Sequence, residues 1–138
     1  MFASLPLLAL PVLFYNLFTA LFVGPAPDSA EARMAQPLFG IDMASRVKWV
    51  IHTGDLVMFV SLLVLFVELL KSTQSGRVAI INHSLSMILF IVCLVEFLLL
   101  KNFATSTFFL LTCMVLLDVL AGFIVSISGA RREVDVVR

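Results

Sequence analysis

Six ionisable residues fall inside long apolar stretches of this chain: His52, Asp55, Glu68, His83, Glu96 and Asp118. Such residues are costly in hydrocarbon, and where they occur they relay protons, counter a ligand's charge or pair with one another. The apolar stretches contain no Lys or Arg. The four acids are therefore expected to be protonated, paired with a histidine, open to water or neutralised by another subunit or ion. Asp118 is twelve residues into the last stretch, near its middle. His83 falls about one turn away in depth if consecutive helices run antiparallel, at ~1.5 Å of rise per residue. An Asp118–His83 pair is the sharpest expectation, with Glu68 as a third proton or ligand candidate near the same surface as His83. At the opposite surface, His52, Asp55 and Glu96 form a candidate polar cluster. The spacing in "HTGD" (His52–Asp55) suits an acid–base pair, a metal half-site, or a hydrated cluster at a helix start.

These residues need elements to hold them. The chain has 138 residues, 62% hydrophobic and only 13% charged, with a mean hydropathy of +1.14. Soluble domains are nearer half apolar and a quarter charged. Four apolar runs stand out: Phe2–Val23, Trp49–Leu70, Val78–Leu100 and Ser106–Ile127. Each has about 22 residues and reaches about 30 Å as a helix, the thickness of a bilayer core. The expected fold is an all-α integral membrane protein, a single domain over residues 1–138. It is a four-transmembrane-helix up-down bundle with one longer extracytoplasmic loop, residues 24–48. The first run is read as a span and not as a signal peptide, because no Lys or Arg precedes it and its apolar stretch exceeds the usual length. Short links, "KSTQSGR" and "KNFATS", make the last three helices antiparallel neighbours. Within the long loop, Asp28 and Glu31 suit the start of a short helix that Pro37 ends. The second span is expected to begin before the membrane, near Asp42 or Ala44, with Lys48 and Trp49 as interfacial anchors.

Periodicity places the polar residues on narrow faces. At 100° per residue, Asn82, Ser86, Leu89, Cys93 and Glu96 make one seam along the third span. Gly54, Ser61 and Glu68 recur along the second; Thr107, Asp118 and Gly122, flanked by Ser126, along the fourth; and Ala9, Asn16 and Ala20 along the first. In lipid, small and polar residues mark the faces on which helices pack. Cys93 and Cys113 lie in apolar surroundings, without a CxxC or a Cys/His zinc spacing. They read as small buried hydrophobes.

On this basis the chain is expected to be a small, non-enzymatic accessory or assembly subunit of a larger membrane complex. One alternative is a small oligomeric proton-coupled transporter or channel that uses Asp118 and His83. Another is a haem-b anchor ligated by His52 and His83. The two histidines differ by nearly 20 Å in expected depth, so haem ligation would need a symmetric dimer. No nucleophile–base pair, phosphate loop or HExxH motif occurs. No metal and no cofactor is expected. The zero formal charge gives no reason to expect nucleic acid. The expected partners are the lipid bilayer and other membrane subunits or further copies of the chain. Lys71, Arg77, Arg131, Arg132 and Arg138 outnumber Arg33, Arg46, Lys48 and Lys101 by one. The positive-inside rule then puts both termini in the cytoplasm, and the composition suits a bacterial inner membrane.

Overall fold

The computed structural model describes residues 5–23, 29–72 and 77–136, with side chains over 5–23, 29–71 and 80–128. The described residues are mostly helical. In order the chain forms α1 (Ala9–Phe22), α2 (Ser29–Met34), β1 (Pro37–Asp42), β2 (Lys48–His52), α3 (Thr53–Ser72), α4 (Arg77–Leu99), a 3-10 turn (Lys101–Phe103) and α5 (Ser106–Val136). Among the described residues three segments are long and apolar enough to cross a membrane: Thr53–Lys71, Ile80–Leu99 and Ser106–Ser128. This is the build of a helical membrane protein.

The first run departs from expectation. Its helix has 14 residues, about 21 Å at ~1.5 Å each, less than a bilayer core. A proline explains the late start. Pro11 lies in the first turn of α1, where its missing N–H costs nothing, but its ring bars helical geometry around Leu7. Leu5–Leu8 instead form a turn, closed by Ala9 N–H to Pro6 C=O at 3.1 Å and Leu10 N–H to Leu7 C=O at 2.9 Å. The packing face also differs. Ala20 is exposed, whereas Val12, Tyr15 and Thr19 are buried. Tyr15 decides this, because its ring and hydroxyl both find partners inside the bundle.

The long loop holds more structure than expected. The short helix is present as α2, while Asp28 lies outside the described residues. Pro37 opens a strand, and Lys48–His52 pairs with it antiparallel. The helix expected to start at Trp49 or before therefore begins at Thr53. "KWVIH" is aromatic and β-branched, which suits a pleated strand, but as an apolar run it cannot be told from the start of a span by periodicity. Arg46 closes the hairpin with a left-handed φ of 65°, donating its N–H to Met43 C=O at 2.8 Å.

α5 is the central helix and packs along both α3 and α4. Close approach is built in by Gly54, where a Cβ would lie 2.7 Å from Thr107 Oγ1. Leu65, Cys93, Leu111, Met114 and Val115 fill the interior. Tyr15, Phe103 and Phe108 form an aromatic cluster, with ring centroids 4.8–5.5 Å apart. The expected seams of α3, α4 and α5 do face inward: Ser61, Glu68, Asn82, Ser86, Cys93 and Asp118 are all buried. Their opposite faces expose Leu62, Leu63, Phe66, Ile88, Ile91 and Val95, as lipid-facing surfaces do.

Candidate functional site

Three polar groups lie along the bundle. The first is centred on Glu68, near the end of α3, whose side chain is fully buried. Its carboxylate accepts Asn82 Nδ2–H at 2.6 Å, the Leu7 N–H at 2.8 Å and Lys71 Nζ at 3.3 Å. Lys71 also donates to Leu5 C=O at 2.5 Å and to Asn82 Oδ1 at 3.0 Å. Asn82 thus gives its amide N–H to the carboxylate and its oxygen to the ammonium, the one orientation that suits both. This corrects the expectation that the acids have no cation in their own chain. Lys71 falls just past the apolar run, yet it stands three residues from Glu68 and reaches back along the last turn. The cluster also satisfies the non-helical backbone at Leu5 and Leu7, which hydrocarbon would leave unpaired.

The second group lies deeper, between α4 and α5. Asp118 Oδ2 accepts Ser86 Oγ–H at 2.6 Å. The expected hydrogen bond from His83 is not made. Among the described residues, both ring nitrogens of His83 and Oδ1 of Asp118 are buried without a hydrogen-bond partner. The His83 ring rests instead on Gly122, where a Cβ would meet Nδ1 at 2.1 Å. The physical reason lies in the helix repeat. His83 and Ser86 are one turn apart on α4, as Asp118 and Gly122 are on α5, so Ser86 comes level with Asp118 and His83 with Gly122.

The third group is at the other end. Asn16 Nδ2 donates to Glu96 Oε2 at 3.2 Å, joining α1 to α4. Tyr15 Oη and Thr105 Oγ1 share a hydrogen bond of 2.6 Å, and Tyr15 donates to Asn102 C=O at 3.3 Å. His52 and Asp55 meet at 3.2 Å, both largely exposed, and Asp55 accepts the His52 N–H at 2.8 Å. This is a solvated pair at the start of α3, of small energetic weight. With Glu31, Ser106 and Thr107 it lines a cavity of about 270 Å³. Glu96 bonds to α1 and is not among the residues lining that cavity. Among the described residues no three His, Cys, Asp or Glu side chains gather to hold a metal ion. Cys93 and Cys113 are free thiols.

Sequence reasoning found Glu68, Asn82, Ser86, Asp118 and His83 but missed Lys71, the Leu5 and Leu7 backbone, and Tyr15 with Thr105. The Glu68–Lys71 spacing was a usable signal. The backbone partners had none. Comparison of the chain with family models, with curated proteins and with solved structures finds no match.

Proposed function

We propose that this chain is a small four-pass membrane protein that serves as a non-enzymatic accessory subunit of a larger membrane complex. The observation that carries this reading is how the intramembrane polar groups are used. Glu68, Lys71, Asn82, Asn16 and Glu96 are engaged in joining α1, α3 and α4, so their chemistry serves assembly of the bundle. The fourth pass is α1. Short as it is, the segment reaches Glu68 through Leu7 at one end and Thr105 through Tyr15 at the other. Both termini are then on one side, which the Lys and Arg distribution makes the cytoplasmic side of a bacterial inner membrane. Purification of the tagged full chain in mild detergent, with mass spectrometry of what accompanies it, tests the reading. A stoichiometric membrane partner is expected. A chain that purifies alone, as monomer or homo-oligomer, overturns it.

A second reading has its own support. The unpartnered atoms of His83 and Asp118 are a buried acid and a buried base about one turn apart. That is the material of a proton relay in a small transporter or channel. Proton flux in vesicles loaded with the purified chain tests it. Flux that is absent, or that Asp118→Asn leaves unchanged, removes the relay.

A further inference from the structure

The hairpin β1–β2 has two unlike faces. Residues directly opposite in an antiparallel ladder share a face, and so do residues two apart on one strand. Phe39 pairs with Ile51, and Ile41 with Trp49. Met43 N–H bonds to Val47 C=O, which extends the same register. Phe39, Ile41, Met43, Val47, Trp49 and Ile51 therefore stand on one side. Ile51 is half-buried, and the other five are 44–64% exposed. Asp42 pairs with Lys48 and Gly40 with Val50 on the opposite side. There the Lys48 stem lies over Gly40, where a Cβ would come within 2.5 Å of Lys48 Cε.

A two-stranded hairpin is marginally stable alone in water, and six large apolar side chains on one face need a cover. We infer that this face lies in the lipid surface of the membrane that α3 enters, as an interfacial foot beside the bundle. Three features select lipid. First, β2 ends at His52 and α3 begins at Thr53. With no linker between them, the hairpin starts at the membrane boundary. Second, an upright hairpin would lift its far end about 17 Å, at ~3.3 Å per residue. That exceeds the headgroup layer and would leave Met43 and Val47 in water. Laid over, the whole row reaches the acyl boundary, the depth that amphipathic surface elements take. Third, Trp49 is on the apolar row, and Arg46 and Lys48 stand at the turn and on the other face. This is the aromatic and basic pairing that suits phosphate headgroups.

The inference rests on the reading that α3 crosses a membrane. Trp49 is the only tryptophan in the chain, so intrinsic fluorescence of the unmodified protein reports this face alone. The full chain is placed in nanodiscs of phosphatidylcholine and phosphatidylglycerol, one copy per disc, with and without lipids brominated high on the acyl chain. Blue-shifted emission, strong quenching by the brominated lipid and weak quenching by aqueous iodide are expected. The double variant Trp49→Phe with Val50→Trp moves the probe to the opposite face, where iodide quenching should rise several-fold. Equal iodide quenching at the two positions overturns the proposal, since the hairpin would then stand in water. Protection of Trp49 from both quenchers also overturns it, because protein would then cover the face. Flotation with vesicles at alkaline pH separates the two readings. A chain that fails to float loses the membrane assignment itself, and one that floats but exposes Trp49 to iodide loses only the foot.

Discussion

Two buried acids in this bundle are treated in opposite ways. Glu68 has an ammonium, an amide and a backbone N–H as donors. Asp118, as fully buried, has one hydroxyl on one oxygen and, among the described residues, no partner on the other. An unpaired buried polar atom costs on the order of 1–3 kcal/mol in proteins, so the contrast is not one of degree. Around Glu68 the chain turns a lysine inward that could have snorkelled to water. It also sets backbone from the Leu5–Leu8 turn against the same carboxylate. Around Asp118 it places a histidine one turn away and leaves both ring nitrogens of His83 and one carboxylate oxygen without partners among the described residues. A satisfied cluster at a helix junction behaves as a clamp. An acid and a base left without partners in mid-bundle do not serve as one, and on the second reading proposed above they are the proton site.

The contrast breaks first at Glu68 if it is wrong. Glu68→Gln keeps the shape but removes the charge that faces Lys71 and presents an amide N–H to other donors. Loss of one partner from a buried ion pair costs about 3–5 kcal/mol. Reversible unfolding in mild detergent should show a destabilisation of that order, and under ~1 kcal/mol the cluster would be an ordinary surface-like pair. Next comes Gly122→Ala. Its methyl must push the His83 ring aside or part α4 from α5, an overpacking worth about 1–3 kcal/mol. Adding His83→Ala should recover most of that loss. Strictly additive effects would mean that the ring does not rest on Gly122.

Much of this contrast was legible in the residues, and its limits are physical. The seams of α3, α4 and α5 could be read because each helix carries few polar residues among many apolar ones, and these recur with the helix period. Depth along antiparallel helices brought His83 near Asp118, but rise per residue says nothing of rotation or of which neighbour comes level. That is how Ser86 took the carboxylate. Lys71 is charged and so reads as loop, although the last turn of α3 includes it. The hairpin was hidden for a different reason. Trp49–His52 and the span after it form one unbroken apolar run, and only pairing with Pro37–Asp42 separates strand from helix. In α1, Pro11 could have signalled a late start, while the inward Tyr15 could not be told from the many large residues around it.

At the third polar group, Tyr15→Phe should cost about 1 kcal/mol. It removes the bond to Thr105 but keeps the rings of Phe103 and Phe108 packed. A loss several times larger in the same unfolding assay would make this end of the bundle, and not the Glu68 end, the main clamp of α1.

The smallest effect is expected where the polar group is least satisfied. Asp118→Asn can keep its oxygen on the Ser86 hydroxyl and turn its amide toward the side that lacks a partner. Polar contacts between membrane helices average about 0.6 kcal/mol, so stability should change by less than ~1 kcal/mol in either direction. The same carboxylate-to-amide change at Glu68 and at Asp118 then yields opposite results, large at the clamp and small in mid-bundle. If Asp118→Asn destabilises as much as Glu68→Gln, Asp118 is structural after all, and its open oxygen is no sign of a site. If stability holds while a proton-dependent activity disappears, Asp118 is maintained for its ionisation and not for packing. His83→Gln separates the partners further. A relay needs a base that titrates, so the glutamine should abolish the activity even with the bundle intact, whereas a ring that only fills space over Gly122 should tolerate the exchange.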